Sequence, residues 1–248
     1  MRYSISGIRD LSLIDVVGYP CSIIFLPYCN FNCFWCHNKD IAKGKIVKVI
    51  RRSEMKELIE RLSLLSDFIQ ISGGEPTLHN FLPDLFELIK KIGLRTSLCT
   101  NGSNFSTIFK LVKSDLLDHI SIDIKASLEC RRYCEIAGIN NCELVRSVKN
   151  TVDFLASSDI QVEFRTTVIE DFHSPKEIVG IYSKLSERII YPNNKFFVLQ
   201  QYIPPNGNTR YKATSVNFLY ELGKIIKKRS RVKVYIRCLE HTGYLTVS

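Results

Sequence analysis

The sequence has no apolar run long enough to cross a membrane, and its first ten residues lack the apolar stretch of a secretory signal. It also lacks internal repeats and low-complexity tracts, and its 45% hydrophobic composition excludes a disordered chain. A chain of 248 residues can bury a large core. These features predict a single domain over residues 1–248 and a cytoplasmic location.

Acidic residues are too few to balance the basic ones, so the formal net charge is +9. This surplus favours acidic partners in general. Much of it lies in short clusters, at 51–52 and at 227–231, which we interpret as solvated helix ends. Charge alone therefore does not indicate a nucleic-acid partner, and we expect none. The nine cysteines are an odd number, and in a reducing compartment they are expected to be ligands, catalytic thiols or buried residues.

Short apolar runs alternate with amphipathic segments along the whole chain. The predicted strands span 21–26, 68–72, 94–100, 119–124, 161–168, 195–201 and 232–236. The predicted helices span 53–65, 83–92, 105–112, 143–156, 174–185 and 216–228, with Ser53 and Ser174 as N-caps. This alternation predicts an α/β fold with a parallel sheet, and periodicity leaves an open sheet and a barrel equally possible. The residues before about position 18 are predicted to form a small pair of strands that leads into the first strand of the core.

Polar or ligating groups follow almost every predicted strand, where the sites of parallel α/β folds gather. In strand order these groups are the cysteine loop 27–38, then Gly73, Gly74 and Glu75, then Asn101, then Asp123 and Lys125, then Arg165, and last Gln200. A protein without a functional site would not be expected to carry polar groups after so many of its strands. The pattern therefore predicts one functional rim.

Cys29, Cys33 and Cys36 place three thiols within eight residues, a density typical of soft-metal or iron–sulfur sites. Three ligands on a four-iron cluster leave one iron open to another molecule. A structural zinc site with His37 as fourth ligand is an alternative, although His37 directly abuts Cys36 and joint chelation by that pair is awkward. Three buried structural cysteines are the remaining alternative, which the Asn-rich, aromatic loop disfavours.

Gly73 and Gly74 permit close approach of the backbone to a ligand, and we expect Glu75 to present its carboxylate at the rim. Asp123 and Lys125 alternate with isoleucines along one strand, so their side chains share a face. An amino-acid-like or ribose ligand suits such a pair, and a simple ion pair is the alternative. The same two interpretations apply to Arg165, which lies beside Glu163.

The cysteine spacing, with Trp35 before the last cysteine, and the motif at 73–76 resemble the radical S-adenosylmethionine (SAM) superfamily. The resemblance implies a partial (β/α)6 barrel with a small N-terminal strand extension. It implies a [4Fe–4S] cluster on Cys29, Cys33 and Cys36, with SAM on the fourth iron. One electron from the cluster then cleaves SAM to methionine and a 5′-deoxyadenosyl radical, which abstracts hydrogen from a substrate.

A narrower resemblance covers nearly the whole chain. The segments 13–15, 30–38, 72–78, 100–102, 123–126, 163–168 and 199–200 are similar to the glycyl-radical-enzyme activases, in particular the longer anaerobic ribonucleoside-triphosphate reductase activating proteins. The implied partners are a glycyl radical enzyme, such as anaerobic ribonucleotide reductase, and flavodoxin or ferredoxin as electron donor. The implied cofactor-binding residues are Trp35, Gly73, Gly74, Glu75, Asn101, Asp123, Lys125, Arg165 and Gln200.

Two other functions stay open at this point. One is a radical SAM enzyme that acts on a small molecule, a nucleobase or RNA, of the deazaguanine-forming or tRNA-modifying type. The other is a non-catalytic metal- or cluster-binding protein in electron transfer or RNA binding. Cys130, Cys134 and Cys142 could hold a second metal, but we prefer to interpret Cys130 and Cys134 as incidental surface or buried residues.

Overall fold

A computed structural model describes residues 1–205, 211–239 and 244–247 of the chain. The chain divides into two compact units, which we describe separately. Unit 1 comprises Met1–Asn30 and Asn38–Ser121, and unit 2 comprises Phe31–His37 and Ile122–Ser248. The cysteine loop is therefore divided between the units. The assignment of residues 1–248 to a single domain stays a prediction.

Strands and helices alternate as the sequence predicts. The strands are β1 (Arg2–Ile5), β2 (Gly7–Val16), β3 (Tyr19–Leu26), β4 (Lys48–Arg51), β5 (Phe68–Gly73), β6 (Arg95–Thr100), β7 (His119–Asp123), β8 (Gln161–Val168), β9 (Lys195–Gln201), β10 (Lys233–Arg237) and β11 (Tyr244–Thr246). The helices are α1 (Lys39–Ala42), α2 (Arg52–Leu62), α3 (Leu82–Lys91), α4 (Phe105–Lys113), α5 (Cys130–Ala137), α6 (Cys142–Ser157), α7 (Pro175–Ser186) and α8 (Val216–Lys228). Among the described residues, no helix is long and apolar enough to span a membrane.

Unit 1 is built on parallel pairing of β3 with β5 and of β5 with β6. Strand β2 adds to this sheet antiparallel to β3, whereas β1 pairs antiparallel with β4 in a separate ribbon. The predicted N-terminal strands thus exist, but they pair with other strands and not with each other. Ile24, Ile71 and Leu98 are fully buried, as expected for strands covered on both faces.

Unit 2 is built on parallel pairing of β8 with β9 and of β9 with β10, and β11 joins β10 antiparallel. Phe164 and Phe197 form part of its core, together with Tyr182 from α7. In the register of this sheet, Gln200 lies between Thr167 and Arg237. Polar residues at the carboxyl ends of these strands are thereby aligned in one row.

Helix N-caps show one correct and one wrong prediction. Ser174 caps α7, because its hydroxyl accepts a hydrogen bond from the backbone N–H of Glu177 at 3.1 Å. Ser53, in contrast, lies inside α2, which begins one residue earlier. There the carboxylate of Glu54 accepts the backbone N–H of Arg51, so Arg51 takes the N-cap position.

Candidate active site

The first cysteine of the loop is held by unit 1. The backbone N–H of Cys29 donates to the carbonyl of Ala42 at 3.0 Å. The side-chain amide nitrogen of Asn101 lies 3.9 Å from Cys29 Sγ and donates to Asn30 Oδ1 at 2.9 Å. Asn101 therefore orients this part of the loop from the end of β6. This is where unit 1 places two of the predicted site residues.

The other two cysteines belong to unit 2. The Cys33 side chain is buried, 9% exposed, and its Sγ lies 3.8 Å from the carbonyl oxygen of Ala137. The Cys36 N–H donates to the Cys33 carbonyl at 3.2 Å, which closes a tight turn. Burial raises the pKa of the Cys33 thiol, and the nearby Lys125 ammonium opposes that increase.

The glycine turn after β5 is packed directly against the start of the cysteine loop within unit 1. Gly73 has φ +121°, a conformation that L side chains rarely adopt. A Cβ at Gly74 would overlap the carbonyl of Tyr28, and the Glu75 N–H donates to that same carbonyl at 2.7 Å. The turn therefore requires glycine because backbone meets backbone there.

The sequence predicts that Glu75 presents its carboxylate at the rim, but the structure places this side chain in the interior. The residue is 0% exposed, and its two oxygens accept four hydrogen bonds. The donors are the Thr77 N–H (3.1 Å), the Thr77 hydroxyl (2.6 Å), the Thr100 hydroxyl (2.7 Å) and the Asn101 N–H (2.7 Å). Burial raises the pKa of Glu75, and these hydrogen bonds oppose the increase. The side chain turns inward because it ties the β5 turn to the end of β6.

Asp123 and Lys125 meet in unit 2, as their alternation predicts. Lys125 Nζ donates to Asp123 Oδ2 at 2.9 Å, and the two side chains stay 12% and 26% exposed respectively. Burial acts to raise the pKa of Asp123, but Lys125 and Arg165 outweigh it and the net pKa is lowered. Burial likewise acts to lower the pKa of Lys125, yet the Asp123 carboxylate raises it overall. Both groups are therefore charged over the physiological range.

A second ion pair lies in the same unit. Arg165 donates from Nη2 to Glu163 Oε2 at 2.8 Å, and the Tyr244 hydroxyl donates to the same oxygen at 2.9 Å. Arg237 adds positive charge, since it also lowers the pKa of Asp123. Two carboxylates thus face three cations here: Asp123 and Glu163 against Lys125, Arg165 and Arg237. The surplus positive charge suits an anionic group such as a carboxylate.

Trp35 lies in an aromatic cluster of unit 2. Its ring is 4% exposed, lies edge-on to Phe34 at 4.6 Å and lies 6.4 Å from the His173 ring. The Ile169 N–H donates to His173 Nδ1, so the proton sits on Nε2, which donates to the Lys125 carbonyl at 3.0 Å. Burial lowers the pKa of His173, in agreement with this neutral form.

Sequence reasoning missed four residues that surround this charge cluster. The Tyr133 hydroxyl contacts the backbone of both Asp123 and Lys125 at 3.4 Å. The others are His173, Arg237 and Tyr244. Arg237 ends a strand, so the rule that found Asp123 would also have found it. Tyr133, His173 and Tyr244 carry no comparable signal, because they lie on a helix, in a turn and on a strand too short to predict.

The residues present fit the cofactors that the sequence predicts. Three thiols in one short loop are the ligands that an iron–sulfur cluster takes. In unit 1, Gly73 and Gly74 are half-buried and keep part of the turn accessible, and in unit 2 the charge cluster offers both signs of charge to an amino acid. The donor set is thus consistent with a [4Fe–4S] cluster and SAM.

Comparisons with known proteins agree with this chemistry. A curated protein of Methanocaldococcus jannaschii is 29% identical over 235 residues, which cover 92% of this chain and 93% of that protein. Its name describes it as a proposed glycyl-radical enzyme activating enzyme. A Pyrococcus abyssi protein is 28% identical over 132 residues, which cover 52% of this chain and 42% of that protein. Its name describes it as a proposed GTP 3′,8-cyclase.

The solved structures show the fold. The crystal structure of Streptococcus suis SuiB bound to S-adenosylmethionine superposes with a TM-score of 0.67 at 16% identity, and covers 87% of this chain and 52% of SuiB. The predicted α/β fold of the radical SAM type is therefore confirmed. The Radical SAM superfamily profile matches residues 23–170, more than half of the chain. The chain thus belongs to the radical SAM superfamily, whose enzymes use a [4Fe–4S] cluster and SAM.

Proposed function

We propose that this radical SAM enzyme is an activase that installs a glycyl radical on a partner enzyme, such as anaerobic ribonucleoside-triphosphate reductase. The observation that carries the proposal is the match to the M. jannaschii relative, which spans 92% of this chain and 93% of the other. The match runs through nearly all of both chains, which supports the same kind of substrate for both.

Cys29, Cys33 and Cys36 are the proposed ligands of the cluster. When bound, the reduced cluster supplies one electron that cleaves SAM and thereby starts hydrogen abstraction from the substrate. The chain's own residues hold the ligands in place. Asn101 orients the Cys29 segment in unit 1, and in unit 2 the Ala137 carbonyl holds the loop beside Cys33 by accepting the Asn32 N–H. Burial of Cys33 also keeps water from that ligand.

The SAM contacts are proposed from charge and backbone geometry. Lys125 and Arg165 bind the carboxylate of the SAM methionyl group, and Asp123 binds its ammonium. The backbone of Gly73 and Gly74 is a further proposed SAM contact, and Glu75 positions that turn from its buried side without touching the ligand. Three further contacts stay proposals: Asn101 beside the cluster, Trp35 near the adenine, and Gln200 on β9.

The first experiment tests SAM cleavage. The protein is purified without oxygen, reconstituted with iron and sulfide, reduced with dithionite and given SAM, and 5′-deoxyadenosine is measured. We expect the wild type and a Cys99→Ala control to form 5′-deoxyadenosine and the Cys33→Ala variant to form none. A fully loaded cluster that yields no 5′-deoxyadenosine in the wild type would contradict the proposal.

The second experiment tests the substrate. A glycyl radical enzyme from the same genome is added, and the doublet of a glycyl radical is sought by electron paramagnetic resonance. The partner carries deuterium on its glycines, so activase chemistry transfers deuterium into 5′-deoxyadenosine. Replacing dithionite by flavodoxin or ferredoxin then identifies the electron donor. No radical and no deuterium transfer, with SAM cleavage intact, would exclude this partner class.

A nucleotide substrate is the second candidate. It is favoured by the P. abyssi relative, although the match spans only 42% of that protein. Addition of GTP to the same assay separates the two functions. Stimulation of 5′-deoxyadenosine formation by GTP, and none by the glycyl radical enzyme, would favour the nucleotide.

A further inference from the structure

A second group of thiols lies in unit 2, at the start of two consecutive helices. Cys130 and Cys134 are one turn apart on α5, so they share a face of that helix, and Cys142 begins α6. Their three sulfur atoms all lie within 4.8 Å of one another. Cys130 and Cys142 are joined as a disulfide, with Cα atoms 5.3 Å apart. The interpretation of Cys130 as an incidental residue is therefore wrong, and that of Cys134 stays a prediction.

The fold brings these thiols together through a left-handed turn. Gly138 ends α5 with φ +64°, and the chain then returns so that Asn141 caps α6 through the Glu143 N–H at 2.9 Å. Cys130 Sγ and Cys134 Sγ are 4.0 Å apart. Cys142 is exposed and the other two are half-buried, so the group is open to ions from solution.

The size of this group fits one metal ion. Zinc–sulfur bonds of about 2.3 Å in a tetrahedron separate the sulfurs by roughly 3.8 Å. Cys130 Sγ and Cys134 Sγ are 4.0 Å apart, close to that spacing, whereas Cys130 and Cys142 must first separate by reduction of their disulfide. A four-iron cluster needs its thiolates spread over separate corners of a cube, which so tight a group does not provide. Within the described residues, no fourth His, Cys, Asp or Glu belongs to the group, so water completes the coordination.

We propose that Cys130, Cys134 and Cys142 form a site for one thiophilic divalent cation, Zn²⁺, distinct in sequence from the cysteine loop. The site needs thiolates, so it exists in the reduced protein. Two electrons and two protons from a dithiol reductant convert the Cys130–Cys142 disulfide to two thiols, and each thiol releases its proton when it binds the ion. Disulfide and metal are thus alternative states of the same residues.

The ion has a structural consequence for the cysteine loop. The Ala137 carbonyl at the end of α5 accepts the Asn32 N–H at 2.9 Å, and the Gly138 backbone packs on Asn32. From the middle of α5, Tyr133 contacts Phe31 and the backbone of Lys125. An ion that ties α5 to α6 therefore fixes the helix on which Cys33 rests. The three thiolates have a positioning role and do not touch the reacting atoms.

The test uses the full-length protein, loaded with its cluster, reduced anaerobically with dithiothreitol and dialysed against Zn²⁺. We expect roughly one zinc per chain beyond the iron, as for structural thiolate sites. Substitution of Co²⁺ for Zn²⁺ should give the ligand-field absorption of a tetrahedral thiolate site. Cys134→Ser and Cys142→Ser should each retain at least tenfold less zinc than the wild type, whereas the half-buried control Cys99→Ser should retain all of it.

The Cys134→Ser variant separates the two states, because a disulfide needs only Cys130 and Cys142. Full zinc retention by Cys134→Ser, or no zinc on the reduced wild type, would overturn the proposal. Iron content and 5′-deoxyadenosine are measured on the same samples. A protein that binds zinc yet cleaves no SAM argues against the proposed activity alone, and one that cleaves SAM without zinc argues against the metal site alone.

Discussion

The two units use their buried polar groups in different ways. In unit 1, Glu75 is fully buried and accepts four hydrogen bonds from Thr77, Thr100 and Asn101, so its carboxylate is satisfied within the protein. In unit 2, Asp123 and Lys125 are paired with each other, lie beside Arg165, and keep part of their side chains exposed.

The difference separates positioning from binding. A carboxylate saturated by backbone and hydroxyl donors has little capacity left for a ligand, and its loss leaves donors unsatisfied in the interior. A partly exposed pair of opposite charges can exchange its partners for those of an amino acid. We therefore expect substitution of Glu75 to reduce stability and substitution of Asp123 or Lys125 to reduce SAM affinity.

The largest effect is expected for Glu75→Ala. Two backbone N–H groups and two hydroxyls lose their acceptor, and at least the two N–H groups stay buried, which costs about 3 kcal/mol of unfolding free energy. Urea unfolding of the cluster-free protein measures this loss, with the exposed Glu57→Ala as matched control. A loss below about 1 kcal/mol would show that water or other groups replace the carboxylate and that the network is not structural.

Lys125→Met should weaken SAM binding more than it lowers the stability of the protein, in contrast to Glu75→Ala. Asp123 stays 26% exposed and keeps Arg165 and Arg237 nearby, so the unfolding free energy should fall by less than the roughly 3–5 kcal/mol that breaking a fully buried pair costs. A charge-assisted hydrogen bond to the SAM carboxylate is worth about 1.5–3 kcal/mol, so the Kd for SAM should rise roughly 10- to 150-fold. Equilibrium dialysis of cluster-loaded protein against labelled SAM tests this, with the exposed Lys149→Met as control. Unchanged affinity together with a large loss of stability would make the ion pair structural.

Much of the fold was predictable because its periodicity is strong. β8, β9 and α8 have the bounds that the apolar pattern predicts. Helix α5 was missed, because its eight residues include two cysteines and two arginines and its buried face consists of only Tyr133, Ile136 and Ala137. Gly138 ends the helix and is a local signal, but the position of the helix depends on Tyr133, whose contact with Lys125 is a tertiary feature.

The site was predictable as a set of strand ends, but the direction of each side chain was not. Asp123 and Lys125 lie on one face because strand alternation requires it. The inward turn of Glu75 depends on donors from β6 and from the turn after β5, which are far apart in sequence from one another. The sequence shows a carboxylate after two glycines and cannot show which donors surround it.

The pH dependence of stability should differ in sign between the units. The pKa of Glu75 is raised above its ordinary 4.5, so the stability it contributes is present below that pH and is lost as the pH rises through the folded-state pKa. The pKa of Asp123 is lowered below 3.8, so its contribution is present above 3.8 and is lost as the pH falls through the folded-state pKa.

Urea unfolding of the cluster-free protein between about pH 3 and 7 tests this difference through Glu75→Gln and Asp123→Asn. The loss of unfolding free energy caused by Glu75→Gln should become smaller as the pH rises from 4.5, by at most about 1.4 kcal/mol per pH unit. The loss of unfolding free energy caused by Asp123→Asn should become larger as the pH rises toward 3.8. Parallel curves for the two variants would mean that both carboxylates are held in the same way, and the distinction between the units would fail.

The smallest effect concerns the residues that hold the cysteines. Asn101 lies 3.9 Å from Cys29 Sγ in unit 1, whereas the corresponding contact of Cys33 in unit 2 is with the backbone carbonyl of Ala137 and cannot be removed by a side-chain substitution. Asn101→Asp keeps the oxygen that accepts the Ser103 N–H but removes the donor that faces sulfur. The same nitrogen also donates to Asn30 Oδ1 at 2.9 Å, and that hydrogen bond is lost as well. The N–H···S contact is worth about 0.5 kcal/mol and the hydrogen bond about 1 kcal/mol, so the cluster should be lost to a chelator roughly tenfold faster. If the rate is unchanged while Asn101→Ala unfolds more readily, Asn101 stabilises the turn and does not hold the cluster.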